Sequence, residues 1–265
     1  MKTLFKNSKV LIGMVHLKPM PGFPNSADNM DVLIDSALSD ARALVRGGVD
    51  GLIVENIFNR PRQKTVGPET VAPMTLAVKA VVDNVDVPVG IKVLFNDYMA
   101  ALAIAKCTGA KFVRISVYTD ASVTMAGIIE GCAYNAVTYR RQIGAEHVKI
   151  LADVFIKHAA PLAPVSIRPI EHVAYDTVNA GMAQGVVVTG PRTGLEINLD
   201  DLHAVTGTVG DRLLLIGSGA SVDNIDRILQ YADGAIVGTY FKKNGIIENP
   251  VDEERVRSLV KRVRG

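Results

Sequence analysis

Eight short apolar runs rich in β-branched residues recur along the chain of 265 residues, and segments with helical spacing separate them. The runs are KVLIGMV, DGLIVEN, VPVGIKVL, KFVRISV, VKILADVF, GVVVTG, RLLLIGSG and GAIVGT. Strands that are apolar on both faces and alternate with helices form parallel sheets, and eight such units close most simply into a barrel. We therefore predict a single (β/α)8 TIM-barrel domain over residues 1–265. An open doubly wound sheet is the alternative, but no GxGxxG follows the first run.

Charge and cysteine content narrow the classes of partner. The chain carries 29 Lys and Arg against 27 Asp and Glu, dispersed along its length, so we expect no binding to nucleic acid. No apolar run reaches the ~18 residues that a membrane span requires, so any association with a membrane would be peripheral. Cys107 and Cys132 have neither CxxC nor zinc-ligand spacing, and no signal peptide opens the chain. We therefore expect a cytoplasmic protein.

Two glycine turns follow the seventh and eighth runs. Gly217, Ser218 and Gly219 end one run, and Gly238 with Thr239 ends the other. In a (β/α)8 barrel the loops after these two strands commonly bind phosphate, because glycine lets backbone N–H groups approach the phosphate oxygens. Glycine can also serve merely to reverse the chain. The coincidence of two such turns at these two strands favours a phosphate site.

Period-two alternation within the strands predicts which side chains point into the barrel. Helix-facing apolar residues alternate with Glu55, Lys92, Arg114 and Asp153 on the second to fifth strands, so we expect these four charges to converge on the barrel axis. Isolated buried charges are costly, so they must be paired, hydrated or in contact with a ligand. A structural ion-pair network is one interpretation. The other is a catalytic site, with the carboxylates in acid/base roles and Lys92 either a fixed positive charge, which we favour, or a Schiff-base amine.

Further polar residues lie at or beyond the strand ends, where TIM barrels carry their catalytic groups. His16 ends the first run, and we include it among the catalytic candidates. Lys157 and His158 follow the fifth run, and we assign them no role. Asparagine and aspartate after a strand can bind substrate or cap the next helix. The predicted substrate-binding residues are Asn96, Asp97, Ser116 and Arg192.

Metal and cofactor signals are weak in this sequence. No HExxH occurs, no HxH follows the first run, and the remaining histidines are not spaced as a ligand set. Glu55 and Asp153 are the only inward carboxylates among these candidates, and the one metal ion that such a pair would suit is magnesium. We therefore predict no cofactor and no metal site.

Segments spread over nearly the whole chain resemble the BtpA/SgcQ family: VHLKPMPGFP, GGVDGLIVEN, VGPETVAPM, VPVGIKVLFND, TGAKFVRISVYT, YRRQIGAEHVKILADV and ADGAIVGTYFKKNG. The resemblance implies a branch of the ribulose-phosphate-binding barrels, which agrees with the phosphate site predicted from the glycine turns. It also implies functional importance for His16, the Lys92 region with Asp97, Arg114 and the TYFKK segment from Thr239. Cyanobacterial members of the family are named for a role in photosystem I biogenesis, whereas others belong to sugar-utilisation gene clusters.

Two classes of function therefore remain open. One is an enzyme that acts on a phosphorylated sugar or on a nucleoside- or nucleotide-like ribosyl compound, by isomerisation, by lyase chemistry or by cleavage of a glycosyl bond. The other is a non-catalytic factor for biogenesis of a membrane complex of the photosystem I type, built on the same scaffold. The inward ring of charges favours the enzyme, because burying four charged side chains is costly and a barrel without a catalytic site would gain nothing that offsets this cost. We also expect a homo-oligomer.

Overall fold

The computed structural model describes residues 1–190 and 198–265, and within them eight parallel strands close into a barrel. Each strand pairs with its neighbours in chain order, and the eighth pairs back onto the first, with Val10 opposite Gly234. All eight predicted runs are strands, so the predicted barrel is confirmed. The strands are β1 (Val10–His16), β2 (Gly51–Glu55), β3 (Val89–Lys92), β4 (Phe112–Ile115), β5 (Lys149–Val154), β6 (Gly185–Val188), β7 (Leu213–Ile216) and β8 (Gly234–Val237).

Helices follow the strands around the outside of the barrel. They are α1 (Met30–Gly47), α2 (Pro68–Asp83), α3 (Tyr98–Thr108), α4 (Ala133–Gln142), α5 (Ile170–Asn179), α6 (Leu199–Thr206), α7 (Ile225–Ile228) and α8 (Glu253–Arg264). No helix in the described ranges is long and apolar enough to cross a membrane.

The local sequence of α1 shows why these segments are helical. The side chain of Asn29 accepts hydrogen bonds from the backbone N–H groups of Asp31 and Val32, which would otherwise lack partners at the start of the helix. Leu33 and Leu44 are buried on the face that packs against the barrel. Gly48, with a φ of 97°, ends the helix in the left-handed region.

Two apolar layers stabilise the barrel, one between strands and helices and one inside the strands. Val54 and Ile91 belong to the outer layer, whereas Ile53 and Phe112 belong to the inner one, as the alternation predicts. A 3₁₀ helix at Lys2–Leu4 leads to Phe5, which packs edge-on against Phe112. The inner layer is therefore apolar, and four buried charged residues lie toward the carboxyl ends of the strands: Glu55, Lys92, Arg114 and Asp153.

A three-stranded antiparallel sheet, which the sequence analysis did not predict, lies over part of the barrel mouth. Its strands are Gly127–Glu130, Ala121–Thr124 and Ala160–Pro161, in that spatial order. Ile129 of this sheet packs against Phe95, Val117 and Ile156, which follow β3, β4 and β5. The sheet therefore covers the side of the mouth formed by β3 to β5.

Candidate functional site

The ends of β1, β2 and β3 place three titratable side chains in one row. His16, Glu55 and Lys92 are direct neighbours in the strand register, and each is at most 6% exposed. Arg114 and Asp153 point into the same end of the barrel from β4 and β5, with exposures of 3% and 4%. The five predicted catalytic residues therefore converge on one end of the barrel.

Asp153 is the centre of a buried ion-pair network. Its carboxylate accepts hydrogen bonds from Nε of Arg114 at 2.7 Å, from Nη2 of Arg114 at 3.1 Å and from Nζ of Lys92 at 3.1 Å. Burial alone would raise the pKa of Asp153, but the charges of Arg114 and Lys92 hold that pKa below its usual value. Burial and the neighbouring Arg114 also lower the pKa of Lys92. The three groups form a mutually satisfied network.

His16 and Glu55 form a second pair with looser contacts. Nε2 of His16 lies 3.7 Å from Oε2 of Glu55, and Nδ1 of His16 is buried without a hydrogen-bond partner among the residues that the structure describes. Burial lowers the pKa of His16 to about 4, although Glu55 acts in the opposite direction, so the imidazole is neutral at pH 7. Burial would raise the pKa of Glu55, but the positive charge of Lys92 and its neighbours holds it below its usual value, which keeps the carboxylate ionised.

A cavity of about 310 Å³ opens beside this pair and extends to the glycine turns after β7 and β8. His16, Glu55 and Arg114 line it, whereas Lys92 and Asp153 do not. A second wall is formed by the turns after β7 and β8 and contacts the first, because a Cβ on Gly238 would lie 3.0 Å from Cε1 of His16. This wall contains all five predicted phosphate-binding residues: Gly217, Ser218, Gly219, Gly238 and Thr239.

The turn after β7 is held in shape by its neighbours. A Cβ on Gly217 would lie 2.6 Å from Nη2 of Arg114, so only glycine permits this close approach. The side chain of Asn224 accepts a hydrogen bond from the backbone N–H of Ser221 and donates one to the carbonyl of Gly219. The Ser218 hydroxyl accepts a hydrogen bond from the backbone N–H of Gly190. The backbone of this turn is therefore preorganised.

The turn after β8 presents an unsatisfied hydroxyl. Thr239 lines the cavity, and its Oγ1 is buried with no hydrogen-bond partner among the described residues. Beside it, Nε of Arg255 donates to the carbonyl of Tyr240 at 2.6 Å, and the guanidinium lies over the Tyr240 ring. Lys242 of the TYFKK segment instead forms a buried ion pair with Asp40. The segment thus contributes both to the cavity wall and to the core.

Lys157 is a charged cavity residue to which the sequence analysis assigned no role. It follows β5, lines the cavity with Glu55 and Arg114, and makes no hydrogen bond or ion pair within the described ranges. Burial lowers its pKa to about 8, with Glu55 opposing that shift and Arg114 adding to it. Its position after a barrel strand was the available sequence signal, but nothing in the sequence distinguishes its side chain from a solvated loop lysine.

Three of the four predicted substrate-binding residues do not line the cavity: Asn96, Asp97 and Ser116. Asn96 exchanges hydrogen bonds with the backbone of Val117, at 2.8 Å in each direction. Asp97 caps α3 through the N–H of Ala100 and accepts a second hydrogen bond from the N–H of Val66. Ser116 points inward as predicted and lines a separate narrow recess together with Asp153, and Arg192 lies outside the described residues.

The carboxylates do not form a metal-ligand set. Among the residues that the structure describes, no three His, Cys, Asp or Glu side chains come together as a group that could hold a metal ion. Both carboxylate oxygens of Asp153 already accept hydrogen bonds from Arg114 or Lys92. A magnesium ion shared by Glu55 and Asp153 would have to compete with these two cations.

Solved structures share the architecture at low sequence identity. N-(5'-phosphoribosyl)anthranilate isomerase from Pyrococcus furiosus aligns with a TM-score of 0.60 and 11% identity, covering 97% of this chain and 98% of that one. A structure described as native KDPGal aligns with a TM-score of 0.57 and 13% identity, covering 98% and 97%. At such identities the likeness establishes the barrel fold alone.

Curated relatives match at much higher identity. An uncharacterized protein of Pyrococcus furiosus is 42% identical over 98% of this chain and 97% of its own length. The photosystem I biogenesis protein BtpA of Synechocystis sp. is 42% identical over 97% of this chain and 88% of its own length. The putative sgc region protein SgcQ of Escherichia coli is 32% identical over 99% and 97%. With the BtpA family model matching residues 7–265 as well, the chain belongs to the BtpA family.

Proposed function

We propose that the protein is an enzyme that acts on a phosphorylated sugar or ribosyl compound. The observation that carries this proposal is the single cavity that joins the glycine turns after β7 and β8 to the buried pair of His16 and Glu55. Its volume of about 310 Å³ is at the lower end of the range for small-molecule sites. A ligand with a phosphate at one end and a reacting carbon at the other fits this arrangement.

The wall formed by the glycine turns is suited to an anion by its donors. The N–H of Gly217 donates to the carbonyl of Val188, but those of Ser218 and Gly219 make no backbone hydrogen bond with a described residue. The hydroxyl of Thr239, which also lacks a described partner, can donate a hydrogen bond to a phosphate oxygen. A buried hydroxyl without a partner is costly, so a ligand that satisfies it gains affinity. The half-buried guanidinium of Arg255 adds positive charge to the same wall.

The wall formed by Glu55 and Arg114 is suited to proton transfer. Glu55 is ionised and accepts no hydrogen bond from the described residues, so its carboxylate is available to take a proton from a substrate carbon or hydroxyl. Arg114 lines the cavity, and Asp153 fixes its orientation. A guanidinium fixed in this way stabilises negative charge that develops on a substrate oxygen. Lys92 acts through Asp153, as a positioning residue.

A non-catalytic role in biogenesis of a membrane complex is the second candidate. A relative of 42% identity carries the name of a photosystem I biogenesis protein. The small sheet over the mouth also exposes apolar side chains: Val123 and Ile128 face each other across its strands with exposures of 44% and 46%, and Met125 beside them is 71% exposed. An assembly factor would use such a surface and would need no ligand in the cavity.

The test is thermal protection by inorganic phosphate and by phosphorylated sugars. At 100 times its Kd, a ligand adds about 2.7 kcal/mol to the free energy of unfolding, which should raise the melting temperature by roughly 5 °C for a chain of 265 residues. Gly238→Asp places a carboxylate in the cavity, because a Cβ at Gly238 already lies 3.0 Å from Cε1 of His16. We expect this variant to lose the protection.

Gly207→Asp is the matched control, because a Cβ at Gly207 meets nothing within 4 Å. Thr239→Val is a milder variant that removes the hydroxyl and keeps the shape, and we expect it to weaken anion binding about tenfold or more. Protection that persists unchanged in Gly238→Asp would mean that the anion binds elsewhere. No protection of the wild-type protein by any of these compounds would favour the assembly role.

A further inference from the structure

We propose that Lys157 is the residue that reacts covalently with the substrate, through a Schiff base to the carbonyl carbon of an open-chain aldose or ketose phosphate. This inference rests on the proposed function and narrows its substrate class to carbonyl compounds. It also moves the covalent role away from Lys92, the lysine that the sequence analysis considered for it.

Access to the cavity distinguishes the two lysines. Lys157 lines the cavity beside Glu55 and Arg114, is only half-buried, and makes no hydrogen bond or ion pair with any described residue. Lys92 is 4% exposed, donates to Asp153 at 3.1 Å and does not line the cavity. A nucleophilic amine must reach the substrate and must have a free lone pair. Lys157 meets the first requirement, whereas Lys92 does not.

The backbone holds Lys157 at this position. Phe155 and His158, on either side of it, adopt left-handed conformations with φ values of 51° and 61°. Ile156 is anchored in the apolar cluster under the small sheet, and the Thr189 hydroxyl donates to the Phe155 carbonyl at 2.8 Å. Left-handed non-glycine residues are uncommon and cost energy, and they occur where the surrounding structure imposes them, frequently at functional sites. The loop therefore presents Lys157 to the cavity in a fixed orientation.

Burial favours the unprotonated form of Lys157. Burial lowers its pKa to about 8, Glu55 and Asp153 oppose the shift, and Arg114 and Lys92 add to it. An ordinary lysine of pKa about 10.4 is neutral in only about 0.4% of molecules at pH 8, against about half for a lysine of pKa 8. The amine is thus available for attack near neutral pH.

The reaction balances without any further reagent. The Lys157 ammonium gives one proton to Glu55, and the free amine attacks the carbonyl carbon to form a carbinolamine. Glu55 returns the proton to the departing oxygen, which also takes a second proton from nitrogen and leaves as water. In sum, the ammonium and the carbonyl compound give a protonated imine and water. The iminium then accepts the electron pair of the C–H bond on the α carbon as Glu55 takes the proton, which is the isomerase route. In the aldol-type lyase route it accepts the pair of the bond between the α and β carbons as Glu55 takes the proton of the β-hydroxyl and an aldehyde leaves. In both routes Glu55 returns the proton to the enamine, and water hydrolyses the imine to free the product and Lys157.

The experiment is trapping with a small phosphorylated aldehyde. Glyceraldehyde 3-phosphate is incubated with the wild-type protein at pH 8, the imine is reduced with sodium borohydride, and the modified lysine is located by peptide mass spectrometry. Unphosphorylated glyceraldehyde is the parallel probe, and the exposed Lys261 is the internal reference. We expect Lys157 to be labelled at least about tenfold faster than Lys261, because a larger fraction of its amine is neutral. Lys157→Met should remove this label, and Lys261→Met should leave it intact.

The outcomes separate this inference from the proposed function. Selective labelling of Lys157 by both aldehydes, with no advantage for the phosphorylated one, would support the reactive amine and contradict the phosphate site. Thermal protection by phosphate would support the phosphate site. An adduct on Lys92, or labelling of Lys157 no faster than that of Lys261, would overturn the inference about Lys157 whether or not phosphate protects. The wild-type labelling pattern alone decides the point if Lys157→Met fails to fold.

Discussion

Replacing Asp153 by asparagine removes the carboxylate that Arg114 and Lys92 share. The side chain keeps its shape, but the two cations, whose side chains are only 3% and 5% exposed, lose the negative charge that offsets their burial. Breaking a buried ion pair by removing one partner typically costs about 3 to 5 kcal/mol, because the remaining charge stays desolvated. The free energy of unfolding of a protein of this kind is about 5 to 15 kcal/mol, so the loss is a substantial fraction of it.

The expected shift in melting temperature follows from the size of the chain. An unfolding entropy of about 2.1 cal/mol/K per residue gives roughly 0.56 kcal/mol/K for 265 residues, so a loss of 3 to 5 kcal/mol lowers the melting temperature by about 5 to 9 °C. Differential scanning calorimetry at pH 7 measures this shift. Asp83→Asn is the matched control, because the Lys79–Asp83 pair is half-exposed and such pairs contribute about 0.3 to 0.5 kcal/mol.

The pH dependence of the Asp153→Asn deficit provides a second check. The pKa of Asp153 is lowered in the folded protein, so its contribution is present in full above the unfolded pKa of about 3.9 and is lost as the pH falls through the folded value. In the variant, the pKa of Lys92 should fall further because its anionic partner is gone. The folded variant then releases a proton that the unfolded chain keeps, so its stability should recover as the pH rises toward 9 or 10. A variant that melts within 1 °C of the wild-type protein at pH 7 would refute the network argument.

Two further predictions concern the cavity pair. Glu55→Gln keeps the shape of the side chain, but the amide cannot accept a proton, so we expect turnover of a phosphorylated substrate to fall about 100-fold or more. The melting temperature should fall less than in Asp153→Asn. A folded variant with turnover within tenfold of the wild-type value would contradict the role of Glu55. For His16, burial lowers the pKa to about 4, so the imidazole should show no titration by NMR between pH 5.5 and 8. In the unfolded chain the imidazole of His16 binds a proton as the pH falls below about 6.5, whereas in the folded protein it stays neutral until about pH 4. The free energy of unfolding should therefore fall by up to about 3 kcal/mol as the pH drops from 6.5 to 4. His16→Gln should lack this slope, and an equal slope in both proteins would exclude His16 as its source.

Local sequence pattern was sufficient to predict the barrel and the inward ring of charges. Whether a strand residue faces the helices or the barrel axis depends on its position relative to its immediate neighbours, since side chains alternate with a period of two. The apolar positions of β2 to β5 therefore identified Glu55, Lys92, Arg114 and Asp153 as inward-facing, as the structure has them. The glycine turns after β7 and β8 were equally visible, because turn residues act locally.

Tertiary structure decided how those residues are partnered. Asp153 lies 39 residues from Arg114 and 61 from Lys92 along the chain, and only closure of the barrel brings the three together. It leaves Lys92 paired with Asp153 rather than lining the cavity. The side chains of Asn96 and Asp97 bond to backbone groups whose positions depend on other loops. Lys157 enters the cavity because Ile156 packs under a small sheet whose three strands come from two different loops. The burial, the electrostatic environment and the accessibility of each side chain at the site depend on residues that are distant in sequence, so they are determined only when the chain has folded.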